Sequence, residues 1–152
     1  MFIKTIKVKK PGRLAAVLAA AGILLAVLLV CAAVKYSGRS VYELNSETRR
    51  QEFLKEMGWE TSDEYDECKA VKIPEKWNDV YINYNKLQKE QGFDLTDYKG
   101  KNVEVYTYRV KNYPGREKSE GVVCNLMIYK GQLIGGDVCS TELDGFMQGL
   151  KK

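Results

Sequence analysis

The feature that most constrains this chain is the run Leu14–Val34, LAAVLAAAGILLAVLLVCAAV, 21 residues without a charge. At about 1.5 Å of rise per residue, a helix of that length reaches roughly 30 Å, the thickness of a bilayer's hydrocarbon core. In lipid the backbone must satisfy its own polar groups, which an α-helix does. The sequence therefore predicts a transmembrane helix at residues 14–34, with lipid bilayer as its solvent. The apolar core exceeds the 7–15 residues usual in a removable leader, which favours an uncleaved anchor. Ala15, Ala19, Gly22 and Ala26 recur on one helix face; such a stripe of small residues is the candidate surface for a homodimer.

Charge sets the orientation. Lys4, Lys7, Lys9, Lys10 and Arg13 precede the apolar run with no acid among them. Residues 1–13 read as a basic cytoplasmic flank, and the C-terminal part is placed outside the cytoplasm, at the cell membrane. Of 24 basic and 20 acidic side chains, those five account for the net charge of +4, and the remainder is close to neutral. The basic balance belongs to the flank, so no nucleic-acid partner is expected.

Residues 35–45 read as a linker and residues 46–152 as one extracytoplasmic α+β domain. Ser46–Met57 is the first predicted helix, capped by Ser46, with Phe53, Leu54 and Met57 apolar. A second helix has Pro74 in its first turn and the stripe Trp77, Val80, Tyr81, Tyr84, Leu87. Both end in glycine followed by an aromatic, Gly58-Trp59 and Gly92-Phe93, a stop that turns the chain left-handed. Ser62–Glu67 is acidic and reads as loop; Cys68–Ile73 reads as a short strand. Val103–Val110, Val122–Tyr129 and Gln132–Val138 are strands, and their short links require an antiparallel meander. Glu142–Leu150 is expected to add a short helix. The fold class is two main helices packed on an antiparallel sheet of three to four strands, one sheet face covered by the helices.

The chemistry is bounded by an absence: the sequence contains no histidine. That removes the commonest general base and metal ligand, along with any Ser-His or Cys-His nucleophile. Cys68, Cys124 and Cys139 match no zinc spacing, and Asp63, Glu64, Asp66 and Glu67 match no calcium loop. No catalytic residue, metal or cofactor is assigned, and a Ser-Lys hydrolase survives only as an alternative. A disulfide depends on register: a Gly131-Gln132 turn faces Cys124 with Cys139, whereas a Lys130-Gly131 turn faces it with Asp137. Gly135-Gly136 marks a bulge or a close backbone approach.

Ten tyrosines are the compositional oddity. Tyr106, Tyr108, Tyr113 and Tyr129 lie on or near strands, and Asp137 is the polar residue in an otherwise apolar strand. These five form the candidate binding surface, since tyrosine buries area at low entropic cost. The leading expectation is a binding module without catalysis, its partner an envelope protein or cell-wall component. A small apolar ligand held between helices and sheet is the other alternative.

The runs FLKEMGWE, IPEKWNDVYINYNKLQKEQGFDLTDYKGK, YTYRVKNYPG and IGGDVCSTELDGFMQG resemble a bacterial family, the domain of unknown function 4830, over roughly Ser46 to Gly149. The resemblance implies a small membrane-tethered module and brings no activity, ligand or catalytic residue.

Overall fold

The computed structural model describes residues 42–117 and 120–152, together with Leu24 and Ala26. The chain divides into two compact units, Met1–Arg39 and Ser40–Lys152. In the first, Leu24 and Ala26 are helical. The rest of the predicted span at 14–34, the flank 1–13, and Ala15, Ala19 and Gly22 lie outside the described residues. Among the described residues no helix is long and apolar enough to cross a membrane.

The second unit is α+β. Helix α1 (Glu47–Glu56) starts where Ser46 accepts a hydrogen bond from the Arg49 N–H. It ends as its sequence requires: Gly58 takes φ +91°, and the Trp59 N–H returns to the Leu54 carbonyl at 2.9 Å. Helix α2 (Asp79–Glu90) stops the same way, with Gly92 at φ +85° and the Phe93 N–H on the Gln88 carbonyl. Its start differs from expectation. Pro74 lies before the helix, whose cap is Asn78 accepting from the Tyr81 N–H at 3.2 Å. An amide at that position satisfies a free helical N–H, which proline does not. A 3₁₀ turn, Leu95–Tyr98, follows.

Five antiparallel strands pair in chain order: β1 (Glu67–Lys72), β2 (Asn102–Arg109), β3 (Val122–Tyr129), β4 (Gln132–Ser140) and β5 (Met147–Gln148). The sheet is thus wider than predicted, because Glu142–Leu150 forms no helix. Asp144 turns left-handed at φ +59°, and the chain returns as β5, pairing Cys139 with Met147. Tyr42–Asn45 of the expected linker lies along the β3–β4 hairpin: Leu44 donates to Gly131, Tyr42 accepts from Leu133, and Leu44 is buried.

The hairpin turn is Lys130-Gly131, both at positive φ, as a two-residue turn matched to strand twist requires. Beyond it Leu133 opposes Ile128 but Gly135 opposes Met127, so Ile134 is an extra residue, a bulge. That one-residue slip overturns both registers considered for the cysteines. Cys124 faces Val138 and Cys139 faces Val123, so the two thiols emerge on opposite faces and Cys68, Cys124 and Cys139 are free.

The same alternation separates two cores. On one face Phe53 and Leu54 of α1 pack with Tyr108, Val122, Cys124, Leu126 and Val138, closed at the edge by Trp59 and Leu150. On the other, Ile73, Leu95, Val103, Met127 and Ile134 pack with Trp77, Tyr84 and Tyr98. The helices therefore divide between the faces, where the sequence suggested that one face carried both. Both faces of β3 are apolar, and burying both requires a cover on each side.

Candidate binding groove

On the α2 face, four polar side chains fall on one line across the sheet. Glu67 pairs with Thr107, Thr107 with Asn125, and Asn125 with Asp137, one from each of β1 to β4. Three of them are wired together. The Thr107 hydroxyl donates to Asn125 Oδ1 at 2.8 Å, and Asn125 Nδ2 donates to Asp137 Oδ2 at 3.1 Å. From α2, the Tyr84 hydroxyl donates to Asp137 Oδ1 at 2.7 Å. Such a network is costly if any member is left unsatisfied, and every link here points its donor toward the carboxylate. Asp137 is 3% exposed.

Beside this line the floor is apolar: Val105 and Met127, then Val71 and Ile73. Tyr81 and Tyr84 make the wall, and the cavity enclosed is about 410 Å³. An adjoining recess of about 550 Å³ shares those two tyrosines and is bounded by Val80, Leu87 and Met147.

The strip over β1 and β2 stays open because of how α2 is held. Gln88, fully buried, reads both backbone groups of Gly136: its Nε2 donates to the carbonyl at 3.0 Å and its Oε1 accepts from the N–H at 2.8 Å. Gln91 adds a bond to the same carbonyl and accepts from the Leu150 N–H. With β5 only two residues long, these amides take the place of a strand along the free edge of β4. A side chain at Gly135 would meet Gln88 Oε1 at 2.8 Å, and one at Gly136 would collide with the Asn125 carbonyl and Leu150. The pair is a close backbone approach next to a bulge. The helix therefore presents Asn85 and Gln88 to the protein and leaves Val80, read from the sequence as part of the inward stripe, 71% exposed.

Burial, then the Asp137 carboxylate, pushes the Tyr84 hydroxyl well above its ordinary range, so it remains a donor. Burial and the same carboxylate push the Cys139 thiol up to about 12, and burial also pushes Cys124 well above its ordinary range. Both stay protonated at neutral pH, the state that is poor as nucleophile or metal ligand. Among the described residues no group of three or more cysteines and carboxylates is placed to hold a metal ion. Ser46 caps α1, Ser62 donates to Asp66, and Ser140 accepts from Arg116.

Of the five residues given as the candidate binding surface, only Asp137 lines this groove. Tyr108 is fully buried on the opposite face, its hydroxyl accepting from Arg50 Nε at 2.8 Å and donating to Glu47. Tyr106, on that face too, lies 4.0 Å beneath the Arg50 guanidinium. Burial and the neighbouring Cys68 raise its hydroxyl to about 12. Tyr113 is stacked between Trp59 and Phe146, and Tyr129 packs edge-on to Tyr98. The structure thus does not bring the four strand tyrosines together. Tyr81 and Tyr84, read as core, supply the groove wall. Thr107 and Asn125 carry no local signal, because their alignment exists only once the register is known.

Residues 53–138 match a family described as domain of unknown function, DUF4830. No curated protein and no solved structure matches the chain.

Proposed function

The chain belongs to the DUF4830 family, and on that footing we propose that it is a binding module of the bacterial envelope, without catalysis, tethered by a single helix at residues 14–34. The uncharged run and its five-cation flank support the tether, with the N-terminus cytoplasmic and the domain outside. The binding role is carried by one observation, the groove between α2 and the uncovered strip of β1 and β2. A cavity of about 410 Å³ with an apolar floor and a few convergent polar groups has the size and lining of a small-ligand site. The occupant is a small, partly apolar piece of an envelope component.

The test has two arms. The full chain sediments with membranes and is released by detergent but not by carbonate. Native mass spectrometry of chain purified from those membranes then finds a bound species on wild type that is missing from Val105→Trp, which fills the groove from a half-buried floor position. Release by carbonate would overturn the tether. Equal spectra for the two proteins would overturn the groove.

A further inference from the structure

We propose that the groove selects a ligand carrying an ammonium group on a short apolar body, with the cation seated at Asp137; this rests on the binding role proposed above. Three charged side chains line the cavity, Glu67, Lys69 and Asp137. Glu67 and Lys69 neutralise each other in an ion pair at 2.7 Å. Asp137 accepts from the neutral donors Tyr84 and Asn125, and no ion pair among the described residues reaches it. Asp137 is 3% exposed, and a buried carboxylate is costly unless a cation or enough donors face it. With the Cys139 thiol as a third neutral partner, three of the Asp137 lone-pair sites are taken, and a carboxylate offers about four. The carboxylate is also a lining residue of the cavity. Of the three charged lining residues, Asp137 is therefore the one with no cationic partner, held by side chains whose hydrogens already point at it.

The rest of the cavity fits the remainder of such a ligand. Tyr81 and Tyr84 line the cavity, and aromatic rings attract cations and pack on apolar groups alike. Val105 and Met127 supply the surface against which a carrier chain or ring would lose its water. An anion would meet Asp137 directly, and a neutral isostere would forgo the charge-assisted bond. A free amphiphilic amine and a lysine-type side chain of a larger component share this chemistry.

The experiment uses full-length chain in lipid nanodiscs, labelled with ¹³C at the methionine methyls. Met127 reports on the groove floor, and Met57, packed with the other core, is the control. Phenethylammonium is expected to shift Met127 saturably and not Met57, with 2-phenylethanol at least about tenfold weaker. Asp137→Asn should shrink that preference to under about threefold, and Val105→Trp should abolish both responses. A Gly-Lys-Gly peptide binding more tightly than phenethylammonium assigns the amine to a larger component; the reverse order assigns it to a free amphiphile. Equal binding of amine and alcohol to wild type overturns the cation reading and leaves the groove standing, whatever Asp137→Asn does to folding. No response at Met127 to any probe overturns the ammonium site, and the Val105→Trp mass spectra then decide on the groove separately.

Discussion

The two faces of one sheet are covered by helices of similar length, yet over the central strands β3 and β4 one face is closed and the other carries an opening. Beneath α1, Phe53 and Leu54 meet apolar strand positions beside the buried Arg50, and Phe53, Leu54, Leu126 and Val138 are at most 3% exposed. Beneath α2, the buried helix residues are Asn85 and Gln88: Gln88 binds both backbone groups of Gly136, and Asn85 accepts from the Leu95 N–H and donates to Asp94. Hydrophobic contact is non-directional and draws α1 over the middle of the sheet. Three hydrogen bonds to one glycine, two from Gln88 and one from Gln91, are directional and hold α2 at β4, so β1 and β2 keep an uncovered strip. The lesson is that a helix docked by polar contacts can leave room for a ligand where a greasy one would not.

The largest effect that would sharpen this contrast lies in the closed core. Leu54→Ala should cost about 2–5 kcal/mol in urea unfolding, from lost burial and the cavity left behind. Val105→Ala, on the half-buried groove floor, should cost about 1 kcal/mol or less. Equal costs would mean that the floor is packed as tightly as the closed side.

Next in size is the clamp. Gln88→Leu removes both of its bonds to Gly136 and leaves the N–H unsatisfied while the carbonyl keeps Gln91, which should cost about 1–3 kcal/mol and speed amide exchange at Gly136. Unchanged exchange at that amide would show that α2 is held by its apolar contacts after all.

The smallest effect is electrostatic and sits where α2 hands over to the 3₁₀ turn. Burial opposes ionisation of Asp94, but the Thr96 hydroxyl and N–H, then Asn85 and Lys89, outweigh it and hold the carboxyl at about 2. A depressed pKa contributes stability that is complete above the unfolded value of 3.8 and is lost as pH falls toward 2. With the side chain about one-third exposed, solvent screening reduces the contribution to about 1 kcal/mol. Wild type should exceed Asp94→Asn by that margin at pH 6, with the two curves converging by about pH 2. A gap that persists at pH 2 would assign the difference to the hydrogen bonds and not to the charge.

Much of the frame was legible. Ser46, Gly58-Trp59 and Gly92-Phe93 act through their own backbone neighbourhood, so one stretch of sequence contains both partners of each contact. The strands of the meander were legible for a similar reason, since β-branched runs with short links have few other arrangements. The groove was not. A tyrosine on α2, an asparagine on β3 and an aspartate on β4 look unrelated until a bulge at Ile134 fixes which residues oppose which.

The sequence by itself determined the helix stops, the positions of the four longer strands, the exclusion of histidine chemistry and the family. Tertiary structure alone decided that the helices take opposite faces, that Cys124 and Cys139 point apart, and that Asp137 rather than the strand tyrosines faces an opening. The physical reason is range: caps and periodicity act within a turn or two of chain, whereas register and helix docking are settled by contacts between residues some 10 to 50 positions apart, as from Gln88 to Gly136.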